Sequence, residues 1–130
     1  WEAPDEKGQS RVATIYTVTS AGSAVREVML PGTGHEMTNM YTMNGGDLVM
    51  THYCAMGNQP HLVAHSAGPD RITMKMNSVG NFTAPDDMYM GELTIVFVDD
   101  NHIRQEWRSY QSGKLSEHEA NFDLTRRVSR

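Results

Sequence analysis

Apolar and polar residues alternate along most of this chain, and clusters of turn-forming residues separate the alternating segments. Alternation with a period of two places successive side chains on opposite faces of a strand, so the pattern predicts β-strands. No segment has the apolar stripe that is typical of an amphipathic helix. The predicted strands cover residues 11–19, 24–30, 35–43, 47–54, 60–66, 70–77, 89–98, 102–110 and 117–126.

The turns between these strands are short. Asn44-Gly45 and Asp99-Asp100-Asn101 are the strongest hairpin signals, because these residue types tolerate the positive φ that tight hairpins require. Sequential strands joined by short turns predict an antiparallel meander. The longest irregular segment is 78–88, where we expect a short helical turn or a lid.

We therefore expect an all-β fold, in which a single domain over residues 1–130 forms an antiparallel up-and-down β-barrel of about nine to ten strands. Closing the sheet removes the two exposed edges that an open sheet would leave. A tenth strand near Trp1 would complete the ring, with Trp1 closing one end. The alternative is a two-sheet sandwich with Greek-key crossings, whose longer crossover connections are hard to find in this sequence.

The predicted inward faces mix Met, Phe and Leu with polar side chains. Each buried polar group that lacks a hydrogen bond costs about 1–3 kcal/mol, so such an interior is networked, wet or built around a ligand. Small barrels of this kind often enclose one small molecule. The residues that we predict to bind a ligand are His35, Asn39, Tyr41, His52, Cys54, Asn58, Gln59, Gln105, Trp107 and His118.

Composition narrows the class of partner. The net charge of -5 is spread along the chain, which disfavours nucleic acid and anionic membrane surfaces. No apolar run approaches the roughly 20 residues that span a bilayer, so we expect no membrane insertion. The ten Met residues suit either ordinary core filling or an adaptable apolar pocket. We expect a small hydrophobic or amphipathic ligand, and a homodimer is compatible with the sequence.

The single cysteine, Cys54, excludes an intrachain disulfide but does not decide the compartment. The chain begins at Trp1 without an initiator Met or a hydrophobic signal segment. We expect a trimmed chain whose start lies upstream, and the localisation, cytoplasmic or periplasmic, stays open.

The six histidines raise the question of a metal or a catalytic centre. His61 and His65 share a strand face about 13 Å apart, too far to chelate one ion, and no HExxH or CxxC spacing occurs, so we predict no metal site. A haem held by His52 or His118 is one alternative to a small-molecule carrier, although no haem motif is present. Another is a low-specificity hydrolase or isomerase that uses His52 with Tyr41, Cys54 or Gln105.

Two segments, 32–64 and 93–114, resemble a group of uncharacterised bacterial lipocalin-like proteins. The motifs that carry the resemblance are His35-Glu36-Met37, His52-Tyr53-Cys54 with Gly57-Asn58-Gln59-Pro60, Phe97-Val98-Asp99, and Glu106-Trp107. The resemblance implies a calycin-type barrel with an internal pocket and implies no activity. Nitrobindin-like haem barrels are a structural relative, but their glycine-rich opening pattern is absent here. We expect a carrier or sensor of a small molecule whose identity the sequence does not specify.

Overall fold

The computed structural model describes residues 1–128, apart from the side chain of His118. The fold is an eleven-stranded antiparallel sheet. The strands are β1 (Glu2–Pro4), β2 (Ser10–Val12), β3 (Thr14–Thr19), β4 (Ala24–Met29), β5 (Met37–Asn44), β6 (Asp47–Tyr53), β7 (Gln59–Ala67), β8 (Arg71–Gly80), β9 (Tyr89–Asp99), β10 (His102–Gln111) and β11 (Lys114–Thr125). One 3₁₀ turn, Ser20–Gly22, joins β3 to β4. Within the described part of the chain, no helix has the length and apolarity needed to cross a membrane.

The sheet curls into a nearly closed up-and-down barrel. From β3 to β11 each strand pairs with its sequence neighbour, and β1 pairs with both β11 and β2. Only Ala13 separates β2 from β3, and the Ala13 amide donates to the Trp1 carbonyl at 2.9 Å. The bent β2–β3 segment therefore links the two ends of the sheet. This confirms the predicted barrel.

The strand count is slightly higher than predicted. The expected strand over residues 11–19 is divided at Ala13, because two successive side chains, Ala13 and Thr14, are both buried there and break the alternation. The short β1, directly after Trp1, supplies the expected additional strand. Trp1 packs against a small apolar cluster around Ile103 at that end of the barrel.

The prediction that a strand begins at residue 35 is wrong. The turn after Leu30 continues through Glu36, because the Glu36 carboxylate accepts a hydrogen bond from the Gly32 amide at 2.6 Å and the Glu36 amide donates to the Thr33 carbonyl. β5 therefore begins at Met37, and His35 is exposed instead of facing inward.

The alternation also predicts that Val18 and Met43 face inward, but both lie near strand ends and are exposed. Val18 is 68% exposed and Met43 is 59% exposed. The irregular segment is shorter than expected, because β8 extends to Gly80. The remaining residues, 81–88, contain a hydrogen-bonded turn in which the Asp87 amide donates to the Ala84 carbonyl.

The main core lies inside the barrel and combines aliphatic, aromatic and Met side chains. Its buried members are Met29, Tyr41, Met50, Leu62, Met74, Met90, Leu93, Ile95 and Trp107. A group of buried polar side chains lies among them, at mid-height in the barrel, and this group positions the candidate site.

Candidate functional site

Glu27 carries a carboxylate that is completely buried inside the barrel. Its Oε1 accepts hydrogen bonds from Asn39 Nδ2 at 2.8 Å and from the Tyr41 hydroxyl at 2.7 Å. Its Oε2 accepts from the Thr14 hydroxyl at 2.6 Å and from Gln105 Nε2 at 2.5 Å. A carboxylate offers about four acceptor positions, so all of them are occupied. Oriented dipoles, rather than a cation, stabilise the buried charge.

Strand register brings these groups to one level of the barrel. Tyr16 lies opposite Glu27, Glu27 opposite Asn39, and Asn39 opposite His52, on four adjacent strands. Directly opposed residues on one face of a sheet place their Cβ atoms about 4.5–5.5 Å apart. Gln105 reaches the same level from β10 on the far side of the barrel. We call this group the polar layer; its members are Thr14, Tyr16, Glu27, Asn39, Tyr41, His52, Gln105 and Trp107.

The polar layer fixes the tautomer of His52. Asn39 Nδ2 donates to Glu27, so the amide oxygen of Asn39 faces His52 Nδ1 at 2.6 Å. That oxygen can only accept, and His52 Nδ1 therefore carries the hydrogen. Burial lowers the pKa of His52 to about 4, so the ring is neutral near pH 7. Its Nε2 then bears a lone pair.

His52 Nε2 is buried and has no hydrogen-bond partner among the described residues. His52 itself is only 1% exposed. Its ring lies 4.7 Å from the Trp107 ring, centroid to centroid, and Trp107 Nε1 donates to Gln105 Oε1 at 2.9 Å. Buried polar atoms are nearly always paired. Among the described residues, His52 Nε2 and Asn58 Oδ1 are the two buried side-chain atoms without a hydrogen-bond partner, and only His52 belongs to the polar layer.

His52 lies in the wall of a cavity of about 270 Å³. Five Met side chains contribute to this wall, and we call it the Met-rich cavity. Its lining consists of Met29, Leu30, His35, Met37, His52, Cys54, Ala55, Met56, Met88, Met90, Trp107, Ala120 and Phe122. Burial raises the pKa of the Cys54 thiol, against a smaller lowering by the backbone amides of Met56 and Ala55.

A second cavity, of about 690 Å³, lies at the opposite end of the barrel. The two cavities are lined by opposite ends of the same strands. On β4, Val25 lines the larger cavity and Met29 lines the Met-rich cavity; on β6, Leu48 lines the larger cavity and His52 lines the Met-rich cavity. The polar layer therefore separates the two cavities. Tyr16 and Tyr41 line the larger one, and burial together with the nearby Glu27 carboxylate raises the pKa of both phenols.

The predicted ligand-binding residues are distributed over the polar layer, the two cavities and the turn before β7. His35, His52, Cys54 and Trp107 line the Met-rich cavity, with His35 exposed at its edge. Asn39 and Gln105 are buried within the polar layer, and Tyr41 lines the larger cavity. The ligand role of each of these residues stays a prediction.

Asn58 lies in the turn between β6 and β7, and Gln59 is the first residue of β7. Asn58 Nδ2 donates to the Met88 carbonyl at 2.9 Å, and Gln59 Nε2 donates to the Gly57 carbonyl at 3.0 Å. Both side chains thus stabilise backbone near the cavity instead of lining it. The prediction for His118 lies outside the described side chains.

The sequence reasoning did not single out Glu27, Thr14 or Tyr16 as site residues. A signal for Glu27 was present, since Val25, Glu27 and Met29 share one face of β4. A Glu between two apolar residues of the same face is a candidate buried charge. Its hydrogen-bond partners depend on strand register, which alternation in a single strand does not specify.

Comparison with family models, with curated proteins and with solved structures gave no match for this chain. The class of protein is therefore defined here by its fold and by the side chains inside the barrel. It is a nearly closed antiparallel β-barrel with a buried carboxylate network between two internal cavities. Within the part of the chain that the structure describes, no three His, Cys, Asp or Glu side chains converge as metal ligands do.

Proposed function

We propose that this protein is a small-molecule carrier or sensor whose ligand occupies the Met-rich cavity. The observation that supports this function is the buried His52 Nε2, which has no partner among the described residues. Leaving such an atom unpaired costs about 1–3 kcal/mol, and a bound ligand would supply the missing hydrogen bond. The remaining wall of the cavity is mainly apolar, as is usual for ligand sites with one orienting polar group.

The cavity volume limits the size of the ligand. A dry cavity of about 150 Å³ accommodates benzene. At about 270 Å³, the Met-rich cavity has room for one or two fused rings. Met side chains are flexible and polarisable, so five of them allow the wall to adapt to related ligands. The larger cavity is of the size expected for bigger organic molecules, but the Tyr16 and Tyr41 hydroxyl groups in its wall are already hydrogen-bonded to Gln105 and Glu27.

The lipocalin-like resemblance of residues 32–64 and 93–114 is part of the proposal. Calycin-type barrels commonly hold one small ligand inside the sheet, and the antiparallel barrel is compatible with that fold. The resemblance adds no activity to the proposal. Both segments contribute to the Met-rich cavity, through His52 in the first and Trp107 in the second.

The proposal is tested by NMR on protein labelled with ¹³C at the Met methyl groups. Titration with indole or 2-naphthol should shift the methyl signals of Met37, Met88 and Met90, because these side chains line the cavity. Met43 is an internal control, since it is 59% exposed and lies at the far end of β5. Native mass spectrometry of freshly purified protein should also show a copurifying small molecule. Equal shifts at Met43 and Met90, or no shift at millimolar probe, would contradict the proposal.

A further inference from the structure

We infer that the ligand of the Met-rich cavity is an uncharged aromatic molecule that donates one hydrogen bond, from an O–H or N–H group, to His52 Nε2. This inference rests on the proposed function and specifies its ligand class. Three features of the structure carry it: the direction of the hydrogen bonds in the polar layer, the side chains of the cavity wall and the charge of that wall.

The direction of the hydrogen bonds excludes an acceptor ligand. The Glu27 carboxylate can only accept, which orients the Asn39 amide with its nitrogen toward Glu27 and its oxygen toward His52. His52 Nδ1 must donate to that oxygen, so Nε2 of the neutral ring presents a lone pair. A ketone, ether or ester oxygen at Nε2 would bring two lone pairs together. An alcohol, phenol, pyrrole or indole group would instead complete the chain of hydrogen bonds.

The wall favours an aromatic ring over an alkyl chain. Met sulfur atoms make favourable contacts with aromatic ring edges, and five Met side chains line this cavity. Trp107 and Phe122 add two aromatic surfaces against which a ring can stack or pack edge-on. A flat one- or two-ring ligand uses both kinds of contact.

The wall also favours an uncharged ligand. None of the described lining residues is Lys, Arg, Asp or Glu, and the titratable groups in the wall are His35, His52 and Cys54. A carboxylate would enter without a cationic partner, and an ammonium would enter without an anionic one. Burying either charge unpaired is costly.

Indole and benzofuran provide a matched pair of probes, because they have nearly the same shape and differ in an N–H donor against an oxygen acceptor. We expect wild-type protein to bind indole at least about tenfold more tightly than benzofuran, as measured by the Met-methyl titration. In His52→Phe, which removes the acceptor but keeps a ring, this preference should fall to within about twofold. His65→Phe is the matched control, since His65 is exposed on β7, and it should keep the wild-type ratio.

Glu27→Gln tests whether the polar layer causes the preference for indole over benzofuran. A Gln at position 27 can donate as well as accept, so Asn39 is free to turn its nitrogen toward His52 and the tautomer is no longer fixed. We expect the indole preference to fall by about fivefold or more, while Glu117→Gln on an exposed position of β11 leaves it unchanged. A ¹⁵N spectrum of the imidazole should show the corresponding change of the protonated nitrogen.

The outcomes separate the ligand class from the binding function. Equal affinity of wild-type protein for indole and benzofuran would overturn the inference and leave a small-molecule carrier. Tighter binding of benzofuran would also overturn it and would indicate that Nε2 carries the hydrogen. Failure of both probes to bind at millimolar concentration would overturn the proposed function together with the inference.

Discussion

His52 and Glu27 are both buried, but they differ in charge. Glu27 is an anion, and four donors from three different strands surround it. His52 is neutral near pH 7, because burial lowers its pKa to about 4. The two are connected through Asn39, so the orientation of one amide links the charged and the neutral group. Networks of this kind specify one arrangement strongly, since any partial rearrangement leaves a buried group unpaired.

The lowered pKa of His52 predicts how stability depends on pH. Unfolded His titrates near 6.5, so above that pH both states are neutral and the contribution is fully present. Between about 6.5 and 4 the unfolded chain binds a proton that folded His52 does not, and the free energy of unfolding falls. Below about 4 the loss levels off, at about 3 kcal/mol in total. Urea unfolding at pH 7.5 to 4 should show this decline.

Two variants isolate the His52 contribution to that decline. His52→Gln should flatten the profile below pH 6.5, because it removes the titrating group. His65→Gln should leave the profile as in the wild type, since His65 is exposed. Parallel profiles for wild type and His52→Gln would show that His52 is not the group responsible.

Alternation predicted which side chains of single strands face inward. Asn39, Tyr41, His52, Gln105 and Trp107 are all buried. The bonds between them were not predictable, because they depend on how far each strand is shifted along its neighbour. Glu27 is an example. The alternation in β4 places it inside the barrel, but only the register of β4, β5 and β6 shows that it orients His52 through Asn39.

At the scale of elements, most strand limits lie within a few residues of the predicted ones, because turn residues mark them clearly. The two main errors have local causes. Ala13 interrupts a strand in which the alternation is broken by two buried neighbours, and the turn before β5 is extended by the bond from Gly32 to the Glu36 side chain. A side-chain bond across a turn leaves no periodic signal, so His35 was assigned to a strand.

The register of β9 against β10 shifts at Gly91, which has no paired residue on β10 and lies under the Tyr110 ring. A Cβ at this buried position would overlap the ring of Tyr110, which stacks on Tyr89 at 6.0 Å between ring centroids. Gly91→Ala must therefore displace that ring and disturb the stack. We expect a loss of about 1–3 kcal/mol in the free energy of unfolding, measured by urea denaturation.

Gly46→Ala is the control for this substitution, because a Cβ at Gly46 meets nothing within 4 Å. It should leave stability unchanged or slightly raised. In a Tyr110→Ala background the cost of Gly91→Ala should largely disappear, since the clashing ring is gone. A full cost in that background would show that the strain has another source.

At the scale of the whole molecule, the barrel is divided along its axis. One end holds the larger cavity beside Trp1, the polar layer crosses the middle, and the other end holds the Met-rich cavity. The sequence predicted a barrel with a partly polar interior. It did not predict two cavities, because the separating layer is formed by side chains that lie far apart in sequence, such as Glu27 and Gln105.

Two segments of the chain meet at the Met-rich end of the barrel and contribute to the lining of that cavity. Met56 lies in the turn after β6, Met88 lies in the segment before β9, and both line the cavity. Asn58 Nδ2 donates to the Met88 carbonyl at 2.9 Å, and Asn81 Nδ2 donates to the Gly57 carbonyl at 2.7 Å. These bonds join the two segments at the edge of the cavity. We expect the proposed ligand to enter between these two segments, because a route there leaves the polar layer intact.

Asn58→Ala removes one of these two connections and should loosen the segment 81–88. We expect its amides to exchange hydrogen about fivefold faster, which corresponds to the loss of one hydrogen bond worth about 1 kcal/mol. The dissociation rate of indole, measured by NMR exchange spectroscopy, should rise by a similar factor. The ratio of indole to benzofuran affinity should stay constant, because His52 and Glu27 are untouched.

Asn121→Ala, on an exposed position of β11, should change neither rate. Faster amide exchange with an unchanged dissociation rate would place the ligand's route elsewhere in the barrel.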